Sequence, residues 1–111
     1  MPHADLKFSN DLNLDAVALL RAIEQIIQQH DAGSGECKGR AHPATHFNHT
    51  HCLLDISMLT KPHRDSKFTQ SLLNDLKSEM ERHLAQPCHL SLGIHYSDDN
   101  YITSKHEPSD R

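Results

Sequence analysis

The stretch that decides the fold is residues 51–59, HCLLDISML. It is apolar on both faces over most of its length, which is typical of a central β-strand covered on both sides. From about Asp65 to Ala85, apolar side chains then recur every fourth residue, and this spacing predicts an amphipathic helix. The members of that stripe are Phe68, Leu72, Leu76, Met80 and Leu84.

Strand-like alternation also occurs at both ends of the domain. Pro87 ends the second helix, and residues 89–96 then alternate polar and apolar side chains, which predicts a last strand. The first strand is predicted at the N-terminus, where Ala4, Leu6 and Phe8 share one face. Residues 97–111 are a polar tail with one possible short strand at residues 101–103.

A helix and a weaker extended segment separate the first strand from the central one. Apolar residues between Leu14 and His30 lie on one helical stripe, with Asn13 as the expected N-cap. Residues 39–47, GRAHPATHF, predict a weak, Pro-interrupted extended segment that either lies at a sheet edge or is irregular. The order predicts an α/β fold: two βαβ-like units, a four-stranded sheet, and both helices on one face. Apolar side chains on the other face then favour an oligomer.

Composition restricts the partners. The chain has 111 residues, which predicts a single domain over residues 1–111. Lys and Arg number 11 against 15 Asp and Glu, so a phosphate-neutralising surface for nucleic acid is not expected. The apolar runs are too short for a membrane span, and the N-terminus lacks a basic and apolar leader. We therefore expect a cytoplasmic protein with no membrane partner.

Histidine is unusually frequent, with 11 residues. His42, His46, His49 and His51 lie close together in sequence, with Cys37, Cys52 and His63 nearby, and imidazole is a good ligand for zinc, nickel or copper. The spacing matches no zinc signature, and Cys52 in an apolar run is typical of core. A metal site and plain histidine richness both remain open, and we predict no metal ligand. The three cysteines form no C-x-x-C pair, which favours a reducing compartment.

Pro2 is the first candidate for chemistry. Initiator Met is normally removed before a small residue, which would leave Pro2 as a free secondary amine. An α-amino group titrates at about 7.7 to 8.0, and an apolar or cationic site lowers that pKa. A rigid base near neutrality at the start of a strand suits proton transfer to and from carbon. The alternative is a second-position proline without a chemical role.

Arg40 and Arg64 are the second candidates. Each lies just outside a regular element in the predicted structure, where a guanidinium group can bind a carboxylate through two hydrogen bonds. The alternative for each is an ordinary solvated arginine. The chain has no Gly-rich phosphate loop, and no nucleophile motif or paired-carboxylate arrangement stands out.

Several landmarks together resemble a known family. They are the N-terminal Pro-His, the segment GRAH at residues 39–42, and the stretch from His49 through DISML and Arg64 into the second helix. In these features residues 2–96 resemble the 5-carboxymethyl-2-hydroxymuconate isomerases of the tautomerase superfamily.

The resemblance implies a cofactor-independent isomerase of aromatic catabolism, assembled as a homotrimer with active sites near subunit interfaces. Its substrate would be an open-chain dienol with several carboxylates. Pro2 would be the catalytic base, and Arg40 and Arg64 would bind the substrate carboxylates. The second hypothesis is a non-catalytic trimer of the same fold or a His-rich metal-binding protein.

Overall fold

A computed structural model describes residues 1–109 and contains four strands and two α-helices. In chain order they are β1 (His3–Ser9), α1 (Ala16–His30), β2 (Lys38–Ala44), β3 (His51–Leu59), α2 (Ser66–His83) and β4 (His89–Ser97), with a 3-10 turn at Ala32–Ser34. The sheet order is β2-β1-β3-β4. β1 pairs parallel with β2, and β3 pairs parallel with β4, while β1 and β3 are antiparallel. The predicted pair of βαβ units in one four-stranded sheet is confirmed.

The hydrophobic core lies between one face of the sheet and the two helices. Alternate residues of β1 and β3 and one stripe of each helix are buried, as the periodicities predict. The largest fully buried members are Leu6, Leu19, Ile23, Ile27, Leu54, Ile56, Leu72, Leu76 and Met80. Burying a Leu or Ile side chain stabilises the fold by about 1.5 to 3 kcal/mol, so this layer holds both helices on one face.

The cap of the first helix differs from the prediction. Asp15, not Asn13, is the N-cap of α1, and its Oδ1 accepts a hydrogen bond from the Ala18 backbone N–H at 3.1 Å. Asn13 instead donates its backbone N–H to Gln86 Oε1 at 2.6 Å. Both residue types cap well, and the helix begins at Ala16, which leaves only Asp15 within reach of the first turn.

In the single chain β3 is covered by the helices on one side only, and its other side belongs to the sheet face that an oligomer is expected to cover. Its helix-facing residues are buried, but Leu53 and Asp55 on the other face are half-buried and Ser57 is exposed. We call this uncovered side the open face of the sheet. The strand register brings Arg40, Asp5 and Asp55 side by side across it. The open face is therefore largely polar, with Leu53 and Leu59 as apolar members.

β2 is a regular edge strand. It pairs with β1 alone, and its other edge faces solvent. Pro43, which has no backbone N–H, is therefore tolerated in this strand. The possible strand at residues 101–103 is not formed, and residues 101–109 have no regular secondary structure. The last two residues of the predicted tail lie outside the described part.

Neither α1 nor α2, the α-helices of residues 1–109, has the length and continuous apolar character of a membrane-spanning helix.

Candidate active site at the N-terminal proline

Pro2 lies at the end of the sheet where β1 and β2 begin and β3 and β4 end. Its ring is fully buried, and its carbonyl accepts a hydrogen bond from the Lys38 backbone N–H at 2.9 Å. The next residue, His3, pairs with Lys38 on one side and Ser57 on the other. Pro2 directly precedes β1 and is thus held in place by the sheet, as a positioned base requires.

A cleft of about 230 Å³ opens at this end of the sheet, and we call it the Pro2 cleft because Met1 and His3, the two neighbours of Pro2 in the chain, line it. Its walls come from the start of β1, the ends of β3 and β4, and the tail. The lining residues include Met1, His3, Leu59, His95, Tyr96 and Tyr101. The cleft is mainly apolar, with imidazole and hydroxyl groups at its margin.

Met1 determines the chemical state of the Pro2 nitrogen. With Met1 attached, that nitrogen is part of a tertiary amide and has neither a proton nor basicity. Met1 also lines the cleft. Removal of Met1 would therefore create a secondary amine and clear space beside it in one step.

Arg40 lies within β2, not just outside a regular element as predicted, and its side chain is on the open face and extends toward the Pro2 end. Its Nη1 is 2.9 Å from Asp5 Oδ1, and its Nη2 donates to His3 Nδ1 at 2.7 Å. Nη2 also approaches the Lys38 carbonyl at 3.4 Å. The side chain is 40% exposed, so solvent and a ligand can reach it. Arg40 is therefore hydrogen bonded to His3, which lines the cleft.

The electrostatics of this group follow from Arg40. Its hydrogen bond, followed by its charge, lowers the pKa of the Asp5 carboxyl, with a smaller contribution from His42. Burial, followed by the positive charge of Arg40, lowers the pKa of His3. A guanidinium group can only donate hydrogen bonds, so His3 Nδ1 is an acceptor and His3 is neutral in this arrangement. The site therefore has a fixed cation beside a neutral imidazole.

Arg64 reaches the same end of the sheet but is packed differently. Its Nη1 donates to the Leu59 carbonyl at 2.7 Å, and Nε and Nη2 donate to Asp31 Oδ2 at 3.0 and 2.7 Å. Its side chain is only 3% exposed. Arg64 thus connects the end of β3 to the end of α1, and its guanidinium is already engaged by protein groups.

Asp31 completes this buried pair. His63 Nε2 donates to the same Oδ2 at 2.9 Å. Burial on its own would raise the pKa of Asp31, but the hydrogen bonds from His63 and Arg64, with the charge of Arg64, lower it below its ordinary value. Asp31 is therefore ionised at neutral pH and neutralises Arg64.

The structure brings the three predicted site residues to one end of the sheet. The roles of Pro2, Arg40 and Arg64 in catalysis and substrate binding stay predictions. Sequence reasoning did not single out His3, Asp31 or Tyr101. His3 could have been found, because it follows Pro2 in the strand, whereas Asp31 lies 33 residues before Arg64 and no local pattern connects the two.

The histidine cluster disperses in the structure. His42 lies 3.5 Å from Asp5 on the open face, and His63 binds Asp31. His51 Nδ1 interacts with the His49 carbonyl, and His49, with a φ of 65°, packs edge-on against His89. Within residues 1–109, no group of three or more His, Cys, Asp or Glu side chains is arranged to hold a metal ion.

Two of the three cysteines, half-buried Cys37 and buried Cys52, are poor nucleophiles. Burial raises the pKa of both Cys37 and Cys52 to about 11, so their thiols are protonated at neutral pH. Cys52 is 1% exposed, which confirms that it belongs to the core.

Solved structures share the fold of this protein over nearly the whole chain. A 5-carboxymethyl-2-hydroxymuconate delta-isomerase matches with a TM-score of 0.77 and 16% identity, covering 96% of this chain and 89% of its own. A 5-carboxymethyl-2-hydroxymuconate isomerase from Deinococcus radiodurans matches with a TM-score of 0.67 and 14% identity, covering 96% and 90%. The chain has the tautomerase fold.

A third structure extends the comparison. A fused 4-OT, described as a symmetric trimer, matches with a TM-score of 0.72 and 8% identity, and 93% of each chain is covered. The two isomerase structures confirm the expected resemblance for the fold. No family model matches the sequence. No curated protein matches it either.

Proposed function

We propose that this protein is a cofactor-independent isomerase, a tautomerase, with Pro2 as its general base. The observation that carries the proposal is a buried proline, fixed by the sheet at the start of β1, beside a mainly apolar cleft. Once Met1 is removed, a rigid secondary amine would face a cleft with a cation nearby, and these surroundings lower the pKa of an amine. Similarity to isomerases of the same fold supports the reaction class.

The proposed substrate is a small unsaturated hydroxy or oxo polycarboxylate, such as 5-carboxymethyl-2-hydroxymuconate. The neutral Pro2 nitrogen takes the enol proton, and the O–H electron pair forms the new carbonyl bond. The double bonds shift along the chain, and a distant carbon takes the proton back from the Pro2 ammonium. Substrate and product are isomers, so the reaction has no net change in protons or electrons. It therefore needs no redox partner and no co-substrate.

Arg40 is proposed to bind a substrate carboxylate and stabilise the developing enolate charge. Its exposure and its position beside His3 support this role. The partners Asp5 and His3 hold the guanidinium in place, which reduces the conformational entropy lost on binding. A carboxylate can then interact with the cation from the solvent side.

Arg64 is proposed to position the site. The same carboxylate-binding role was predicted for it, but its three hydrogen bonds and near-complete burial favour holding the end of β3 in place. Leu59, whose carbonyl it binds, lines the cleft. Arg64 would therefore act on a substrate through the shape of the cleft wall.

A homotrimer is the proposed assembly. The half-buried Leu53 and Leu59 on the open face would be covered by other copies, and the fused 4-OT of the same fold is a symmetric trimer. Three 12.6 kDa chains give about 38 kDa, which light scattering at micromolar concentration distinguishes from a monomer. The remaining partner expectations are a small carboxylate substrate, no nucleic acid and no membrane, in the cytoplasm.

The test compares one preparation before and after methionine aminopeptidase treatment, with intact mass reporting Met1. Removal of Met1 should raise turnover of a tautomerisable dienol acid by roughly 10²- to 10⁴-fold, the usual contribution of a positioned acid-base group. Pro2→Ala, processed in the same way, should retain a weak remnant, since it keeps a primary amine without the rigid ring. Equal turnover with and without Met1 would exclude Pro2 and favour a non-catalytic trimer of this fold.

A further inference from the structure

The tail places an aromatic side chain at the proposed site. β4 ends at Ser97, and the Asp98 carboxylate then accepts the Asn100 backbone N–H at 2.8 Å, which turns the chain. Tyr101 follows and lines the Pro2 cleft together with Met1 and Leu59. The tail therefore returns to the end of the sheet where Pro2 lies.

Two neighbouring apolar residues show that this placement is selective. Tyr101 is 39% exposed, whereas Ile102 is 92% exposed. A segment without regular structure would expose both side chains equally if it did not contact the domain. Tyr101 is thus turned toward the cleft, and Ile102 is turned toward solvent.

Hydrogen bonds hold the ends of β3 and β4 from which the tail continues. Thr60 Oγ1 donates to the Ser97 carbonyl at 2.7 Å, which ties the loop after β3 to the end of β4. Tyr96, which also lines the cleft, is hydrogen bonded to Thr69 of α2 through its hydroxyl. The part of the cleft wall that β3 and β4 supply is therefore held by hydrogen bonds, whereas Tyr101 is carried by a segment that no strand or helix fixes.

We propose that Tyr101 is the adjustable wall of the Pro2 cleft and sets the size of the ligand that can reach the Pro2 nitrogen. The inference rests on the proposed function only in taking that nitrogen as the reactive centre. A compact unsaturated acid passes beside the phenol ring, whereas an acid with a bulky substituent must displace it. Tyr101 is a specificity residue in this scheme, and it transfers no proton.

The experiment measures access to the nitrogen by alkylation, which does not require turnover. Met1-free protein is treated with 3-bromopyruvate or with the bulkier 3-bromo-3-phenylpyruvate. The Pro2 nitrogen displaces bromide, an N–C bond forms, and the amine proton leaves to solvent. Mass spectrometry of the N-terminal peptide gives the rate for each reagent.

Tyr101→Ala should raise the rate of alkylation by the bulky reagent by at least about tenfold, because a single misfit group changes access to a pocket by about this factor. The rate with the small reagent should stay nearly unchanged. Tyr101→Phe should behave like the parent, because the ring and not the hydroxyl forms the wall. Ile102→Ala is the matched control and should change neither rate. The same ratio of the two rates in Tyr101→Ala and the parent would overturn the proposal.

The two proposals fail separately. If Met1-free protein turns over no dienol acid but the rate ratio responds to Tyr101→Ala, the wall is correct and the isomerase is wrong. If turnover depends on Pro2 but the ratio does not respond, the isomerase stands and Tyr101 is a bystander.

Discussion

The sequence predicts the same carboxylate-binding role for Arg40 and Arg64, but the two side chains lie in opposite environments. Arg40 lies on the open face, 40% exposed, and its partner Asp5 is 38% exposed. Arg64 is 3% exposed and its partner Asp31 is 9% exposed. The comparison separates two uses of a guanidinium at the same end of a sheet. An exposed guanidinium is accessible to a ligand, whereas a buried one is occupied by the protein and, at Arg64, holds the end of β3.

The largest expected effect is on stability, at the buried pair. Arg64→Ala leaves the Asp31 carboxylate buried without its main partner, and breaking such a pair costs about 3 to 5 kcal/mol. Urea denaturation should show this loss in the free energy of unfolding. Arg82→Ala is the control, because that side chain is 77% exposed and its ion pair contributes about 1 kcal/mol or less. Equal stability of the two variants would show that Arg64 is not a structural residue.

The effect at Arg40 should be on kinetics. A hydrogen bond to a charged group contributes about 1.5 to 3 kcal/mol, so Arg40→Ala should lower kcat/KM by roughly 10- to 100-fold. Arg40→Lys should recover only part of it, since an ammonium group lacks the planar fork. Stability should fall little, because the Asp5 pair is solvated. The control Arg21→Ala changes an exposed cation of α1 and should leave kcat/KM unchanged.

A smaller effect distinguishes the two carboxylates in acid. The pKa of Asp31 and that of Asp5 are both lower in the folded protein than the ordinary 3.8. Each therefore stabilises the fold above that value, and this stabilisation is lost as the pH falls through the lower folded value. Asp31→Asn should flatten the decline of unfolding free energy below about pH 4 more than Asp5→Asn does, because solvent screens Asp5. A larger flattening in Asp5→Asn would reverse the comparison.

Local patterns in the sequence predict most of the fold. The stripes at Leu19, Ile23 and Ile27 and the alternation around Leu54 are set by neighbours in the chain, and both agree with the structure. The N-cap was misplaced by two residues because Asn13 and Asp15 have the same capping chemistry. The cover over the other face of β3 stays a prediction for the assembly, because in one chain apolar Leu53 shares the open face with Asp5 and Asp55.

The site is less accessible to sequence reasoning because its contacts are distant in the chain. Pro2 could be proposed as a base from its position and chemistry alone. Arg64 is paired with Asp31 at the end of another element, and the turn before Tyr101 contains the hydrogen bond between Asp98 and Asn100. Neither has a periodic signature, so only the folded arrangement separates Arg64 from Arg40.

The most direct test of the central claim is a titration of the Pro2 nitrogen in Met1-free protein. With ¹⁵N-labelled proline, NMR reports the pKa of that nitrogen, and the pH profile of kcat/KM reports the pKa of the essential base in the free enzyme. We predict that the two values coincide, below the ordinary α-amino value of about 7.7 to 8.0, because the cleft is apolar and Arg40 is cationic. A kcat/KM profile that rises at a pH where the nitrogen does not titrate would contradict the assignment of Pro2 as the base.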